Sequence, residues 1–468
     1  MPLLDETRLF PVDSKSRDLA RSLYDHIRDL PIISPHGHTD PTWFSRNEPF
    51  ENPSALFVTP DHYVFRMLHS CGVALEDLGI ERRDGQPVEQ DPRAVWRRFA
   101  QNYHLFRGTP SRLWLDYSFQ NVFGIDTTLT VATADATYDQ INACLSKEAF
   151  RPRALFEQFN IETLATTESA TDPLIAHKAL AASDWAGNII TTYRPDNVID
   201  PDFPGFINNL AVFSEITGED AFTWNGYLAA HRKRRAEFAR YGATATDHGH
   251  PSARTNNLSP ADAEALFVKI ASGNFSSTEA EAFRGQMLTE MARMSVDDGM
   301  VMQIHPGSAR NHSRSAFDAF GADKGFDIPK PADFVNELRP LLDAFGRDPN
   351  LTLILFTLDE TTFSRELAPL AGVYPAVKLG PPWWFLDSPD GMRRFREATT
   401  ETAGFYNTVG FNDDTRAFCS IPARHDVARR VDCAFLADLV VSGRLAETDA
   451  FELAEDLSYN LVKAAYKL

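Results

Sequence analysis

Eight short apolar runs, each closing on polar residues, do most to limit what this chain can become. They are PIISPHGH (31–38), IETLATTES (161–169), NIITTYRPD (188–196) and GATATDHGH (242–250), followed by GMVMQIHPG (299–307), LTLILFTLDE (351–360), YPAVKLGPPWW (374–384) and TVGFNDDTR (408–416). Helical patterns lie between them. Near-continuous apolar strands alternating with helices imply a parallel sheet covered on its faces, and eight such units predict a (β/α)8 barrel. In the helix before the fifth run, the spacing predicts a capping box from Thr278 to Glu281. The spacing of the runs is uneven. Roughly 120 residues separate the first from the second, and that stretch reads as helical. In TPDHYVFRMLHSCG, Thr59 is a cap candidate, Pro60 sits at the first helical position and Gly72 lies past the end. The expectation is a barrel formed by residues 1–41 and 156–468, with residues 42–155 a mainly helical insertion that contributes to the active site.

The length of 468 residues and a hydrophobic content of 43 % allow either one large barrel with insertions or two to three average domains. A net charge of −19 argues against nucleic acid and anionic membrane surfaces as partners. An anionic ligand would then depend on local arginines, with the acidic charge spread over the outside. Cys71, Cys144, Cys419 and Cys433 show no metal-thiolate spacing and suggest a reducing compartment. No basic region followed by an apolar stretch opens the chain, and no apolar run approaches the ~18–20 residues of a membrane helix. A cytoplasmic protein is expected, and a homo-oligomer is left open. The basic run HRKRR (231–235) reads as a solvated helix face.

Chemistry concentrates at the ends of the runs. His36 and His38 are two residues apart, so on a strand they share a face. Neutral imidazoles paired this way suit zinc or another divalent transition metal, although a packed core histidine beside a turn histidine gives the same pattern. Later boundaries add His248, His305 and Asp414. A carboxylate at the last strand completes an N,N,O site or serves as a base beside it; Asp414 also reads as a helix N-cap. Asp413 and Asp414 are adjacent, so one of them points inward.

The set HGH, DHYVFRM, GTPSRLWL, YRPD, TDHG, QIHPGSARN, WWF and DDTRAFCSIPARHDVARR, in that order from residue 36 to 430, resembles the uronate isomerase family within the amidohydrolase superfamily. That resemblance implies a distorted TIM-like barrel and reversible aldose–ketose isomerisation of glucuronate and galacturonate to the corresponding ketouronates. It implies one divalent metal, zinc first among the candidates, held by His36, His38 and Asp414. It assigns catalysis to Asp414, Tyr63, Arg416 and His305, and substrate contacts to His62, Arg194, Trp383 and Trp384. Of the two tryptophans, at least one is expected in the core. His248 is left unassigned, and His425 is expected to pack the last helix. Three positions depart from the family pattern: Asp359 in TLDET, the longer gap before Asp172, and Asp426 in RHDVARR. A mononuclear hydrolase or decarboxylase of the same superfamily is the main rival, because GATATDHGH offers no strand lysine and LTLILFTLDET no histidine for a second metal. A non-catalytic sugar-acid binding protein is a remoter one.

Overall fold

The computed structural model describes residues 3–468. Seven strands form one parallel sheet: β1 (Ile32–Ser34), β2 (Ile161–Ser169), β3 (Asn188–Arg194), β4 (Ala245–His248), β5 (Val301–Ile304), β8 (Leu353–Leu355) and β9 (Val377–Leu379), side by side in that order. Between β5 and β8, a separate two-stranded antiparallel ribbon pairs β6 (Ser308–Ala309) with β7 (Ile328–Pro329). Seven of the eight runs are therefore strands in the expected order.

The eighth run is not a full strand. It makes a single parallel bridge, Leu379 to Thr408, and its other edge meets the start of the sheet where the His38 amide donates to the Thr415 carbonyl at 3.1 Å. These contacts curl the sheet toward closure with an irregular last stave, which is the distorted TIM-like barrel anticipated from the runs.

Strand alternation sorts the side chains into two cores. Ile33, Ala245, Val301, Ile354 and Phe356 fill the interior with Trp383 and Val409. Met302, Ile304, Leu353 and Leu355 face outward and pack against the surrounding helices. The C-terminal helix Leu461–Tyr466 closes the floor. Its Tyr466 hydroxyl reaches the inward-facing Gln303 at 2.8 Å and accepts from Asn412 at 2.5 Å.

Between β1 and β2 the chain is helical, including Pro53–Phe57, His62–Ser70, Pro92–Asn102, Pro110–Tyr117 and Ala134–Leu145. An aromatic cluster with Trp96, Phe99, Phe106 and Phe119 at its centre runs continuously into Ile161 and Leu164 of β2. Each such side chain contributes about 1.5–3 kcal/mol on burial, which fixes these helices against the barrel. Among the described residues, no helix is long and apolar enough to cross a membrane.

Several local expectations need correction. The helix carrying Tyr63 begins at His62, capped by Asp61, whose carboxylate accepts from the Tyr63 amide at 2.8 Å; Thr59 instead bonds to Leu78. The capping box is Ser276–Glu279, two residues earlier than Thr278–Glu281. The run 231–235 is not a solvated face. His231, Arg234 and Arg235 are fully buried, with Arg234 donating to the Ala170 and Asp172 carbonyls and Arg235 paired with Asp298. The helix Trp224–Arg240 presents these residues to the barrel while Arg232 and Lys233 face solvent. The three departures sit at structural posts. Asp172 accepts from the Leu174 amide, Asp359 caps the turn at Thr361, and Asp426 binds Arg8 and Arg430 under the N-terminal segment.

Candidate active site

Every residue singled out for chemistry lies at or beyond the C-terminal end of a strand or in the helical segment above it. β1 stops at Ser34, so His36 and His38 stand in the connection that follows it, not on a common strand face. Their rings nevertheless converge, with centroids 5.4 Å apart and nearly perpendicular. Across from them, Asp414 Oδ1 lies 3.5 Å from His36 Nε2 and 3.3 Å from His38 Nε2. Asp414 has φ of 39°, a left-handed conformation that aspartate and asparagine accept more readily than most residues. That kink turns Asp414 inward while its neighbour Asp413 faces away to His425 at 3.1 Å.

Metal–ligand bonds of about 2.0–2.2 Å in a tetrahedron put ligand atoms about 3.4 Å apart, and the two Asp414–histidine distances match that edge. Burial drives His38 down to about 3 and His36 below its ordinary value, so both rings are neutral and ready to ligate. Although burial opposes it, the Asp414 carboxyl is held below its ordinary value and is ionised. Asp414 Oδ1 has no hydrogen-bond partner among the described residues. The donor set fits one divalent cation.

A second tier lies behind this set. His305 follows β5 and stacks on His36 at 4.9 Å. Its Nδ1 donates to Asp247 Oδ1 at 2.6 Å, and Nε2 has no hydrogen-bond partner among the described residues. Arg194, the last residue of β3, reaches Asp247 Oδ2 at 3.1 Å and Asp196 Oδ2 at 2.8 Å. Burial opposes ionisation of Asp247, and the Arg194 guanidinium overrides it, holding the carboxyl well below its usual range. His36, Asp247 and His305 themselves form an overlapping set of possible ligands.

Asp247 was missed in the sequence because His248 beside it looked more useful. In β4 the inward positions are Ala245 and Asp247, opposite Val301 and Gln303, whereas His248 pairs with the outward Ile304. The alternation of alanine and threonine in GATATDHGH carries that parity.

The roof comes from the helical segment. Burial, reinforced by Arg416, lowers His62 to about 3; both its ring nitrogens lack partners among the described residues, and its ring lies 5.0 Å from Trp384. Tyr63 stands edge-on to Trp114 at 5.6 Å, and burial raises its phenol above the usual range. Arg424 lies over both the Tyr63 and Trp114 rings, paired with the buried Asp387. A small cavity is lined by Tyr63, Phe356, Trp383, Trp384, Asp387 and Asp414. Trp383 is core, packed 4.8 Å from His305, while Trp384 is half-buried with a free indole N–H. Arg416 faces the same mouth and pairs with Asp323 at 3.4 Å. Asp323 belongs to the connection from β6 to β7, which rests on the Tyr63 helix through Gly325. At φ +76° and with the His62 carbonyl 3.2 Å from where a Cβ would stand, that position requires glycine.

A profile of the glucuronate isomerase family matches residues 12–466. The chain belongs to the uronate isomerase family. The uronate isomerase of Mesorhizobium japonicum is 63 % identical over 466 residues, covering 100 % of this chain and 99 % of that one. The crystal structure of glucuronate isomerase from Caulobacter crescentus superposes with a TM-score of 0.98 at 57 % identity, covering 100 % and 98 % of the two chains. The Thermotoga maritima uronate isomerase structure gives 0.92 at 27 % identity, with 99 % of each chain covered. Membership makes this chain an isomerase, and the hydrolase, decarboxylase and binding-protein readings fall away.

Proposed function

We propose that this enzyme interconverts D-glucuronate with D-fructuronate and D-galacturonate with D-tagaturonate by moving a proton from C2 to C1 through an enediol. The observation that carries the reading is the split use of Asp414. Its Oδ1 faces both His36 and His38, which leaves Oδ2 available as the base. Such a transfer needs a base over C2, an acid near the C1 oxygen and positive charge for the developing enediolate. Asp414 is the base, its carboxyl held below the ordinary carboxylate value and so ionised. Tyr63, kept protonated by burial, supplies the acid. Arg416 supplies the fixed cation. His305, locked by Asp247 with Nε2 outward, accepts a hydrogen bond from a substrate hydroxyl.

Arg194 anchors the substrate carboxylate, His62 a hydroxyl, and Trp384 and Trp383 offer flat faces to the sugar. Residues 42–155, which carry His62 and Tyr63, act as an insertion completing the site. His36, His38 and Asp414 would hold a divalent ion, zinc before others given the N,N,O set. Such an ion supplies a Lewis acid beside the substrate carboxylate and its neighbouring hydroxyl. We place the reaction in hexuronate catabolism in the cytoplasm.

Proton NMR of the enzyme with each uronate in D2O tests this. Ketouronate carrying solvent deuterium supports proton transfer by Asp414. Ketouronate wholly without deuterium, together with an Asp414→Asn variant that keeps its rate, would refute the assignment of the base.

A further inference from the structure

The motif His-Gly-His occurs twice in this chain, at 36–38 and again at 248–250. The first copy follows β1 and the second starts on the last residue of β4, and each meets an aspartate from another segment. The first meets Asp414. The second meets Asp196, two residues past the end of β3, and one ligating atom from each of Asp196, His248 and His250 falls within a common 4.8 Å. We propose that Asp196, His248 and His250 form a second divalent-cation site, separate from the site at His36, His38 and Asp414.

The orphaned atoms argue for an occupant. His248 and His250 are buried at 0 % and 3 % exposure. His250 has no hydrogen-bond partner on either ring nitrogen among the described residues, and His248 Nδ1 has none either. A buried imidazole always carries one N–H or one lone pair that needs a partner. His248 Nε2 is already engaged by the Thr246 hydroxyl at 3.1 Å. That bond orients the ring and leaves Nδ1 as the ligating atom, the usual arrangement behind a metal-bound histidine.

The carboxylate is divided in the same useful way. Asp196 Oδ2 receives Arg194 Nε at 2.8 Å, the Gly249 amide is shared between Oδ2 at 3.1 Å and Oδ1 at 3.2 Å, and Oδ1 lies 3.9 Å from His250 Nε2. Oδ1 is the oxygen left for a cation. The arginines around the group are each matched by acids: Arg194 is shared between Asp196 Oδ2 and Asp247, Arg310 pairs with Asp327, Arg235 with Asp298 and Arg284 with Asp200. Two imidazoles and one carboxylate of this kind select a transition metal such as Zn2+ over Mg2+ or Ca2+.

The site has a consequence for the barrel mouth. Asp196, Arg194, Asp247, His305 and His36 touch in sequence. A cation on Oδ1 fixes the Asp196 carboxylate and thereby the guanidinium that holds the substrate. The proposal stands whether or not the isomerase mechanism above is right, because it is read out by metal content.

The test is metal stoichiometry. Chelator-stripped full-length enzyme is titrated with Zn2+, and bound metal is counted by mass spectrometry after desalting. Wild type is expected to bind two ions per chain, His250→Gln one, and His36→Gln/His38→Gln one. A Co2+ titration gives an independent reading on unmutated enzyme, with two resolved ligand-field transitions expected in sequence. One ion per chain in wild type, with a single cobalt transition, overturns the proposal. So do two ions retained in His250→Gln, since the second ion then lies elsewhere. If His250→Gln does not fold, His248→Gln and the cobalt titration decide.

Discussion

Replacing Asp414 by asparagine separates its chemistry from its place in the fold. Asparagine keeps the shape and accepts the left-handed backbone at φ 39° as aspartate does, so the variant should fold normally, with a Tm close to wild type. It loses the charge that Oδ1 presents to His36 and His38 at 3.5 and 3.3 Å, and it loses the base on Oδ2. The other carboxylate grouped with His36 is Asp247, which His305 and the Arg194 guanidinium hold on the far side of the His36 ring pair, away from the Asp414 position. Removing a general base costs about 10²–10⁴ in rate, equal to about 2.7–5.5 kcal/mol of barrier at about 1.4 kcal/mol per decade. Asp414→Ala should lose the same catalysis and also about 1 kcal/mol of stability, because alanine has no polar side chain to favour the left-handed region. Steady-state kinetics on D-glucuronate and thermal unfolding of both variants check this. An asparagine variant retaining more than about a tenth of wild-type kcat with its metal bound would refute the role of Asp414 as base.

Tyr63→Phe keeps the ring contacts with Trp114 and Arg424, so kcat should fall about 10²-fold or more while the denaturation midpoint holds; a rate within twofold of wild type removes Tyr63 from the proton path. Arg424→Met strands the buried Asp387 carboxylate, and urea denaturation should show a loss of about 3–5 kcal/mol, partly recovered by adding Asp387→Asn, itself a residue that burial raises to about 7. No recovery in the double variant would mean that the pair is not the source of the loss. Stability should also depend on pH through Glu168, which burial raises from 4.5 to about 7 despite the hydrogen bond it accepts from Thr191. With the folded value above the unfolded one, the contribution is full below pH 4.5, declines as pH rises to 7, and has cost up to about 3 kcal/mol beyond that. Glu168→Gln should flatten that part of the profile between pH 5 and 8, and an unchanged slope would rule Glu168 out.

The barrel was legible because period and order are carried locally: seven of eight runs became strands through their own apolar content and β-branched residues. What failed was information held by partners. Thr278 and Glu281 have the right spacing for a capping box, yet the helix begins two residues before Thr278, where Ser276 and Glu279 satisfy each other. HRKRR carries five polar residues, but its helix meets the barrel on the face of Arg234 and Arg235, and carbonyls and acids from distant segments receive them. At the mouth, His36, His38 and Asp414 were found by residue type, and their approach is made by an irregular connection instead of a strand face. Asp247 needed strand parity, which the sequence contains, whereas Asp323 sits on a long connection whose landing point on the Tyr63 helix no local pattern encodes.

The irregular eighth stave has a mechanical consequence. Along the other strands the barrel is laced by ladders, but the ends of the ring meet through sparse contacts such as His38 to Thr415, and Thr39 and Thr415 are 376 positions apart in the chain. His36 and His38 stand on one lip of that seam and Asp414 on the other. A cation gripped by all three would act as a buckle, closing in one step a loop that runs from β1 to the last stave, and closing so long a loop removes much chain entropy. Hydrogen exchange at the amides of His38 and Val409 should slow together when the buckle fastens, because an ion held there would also shut the barrel.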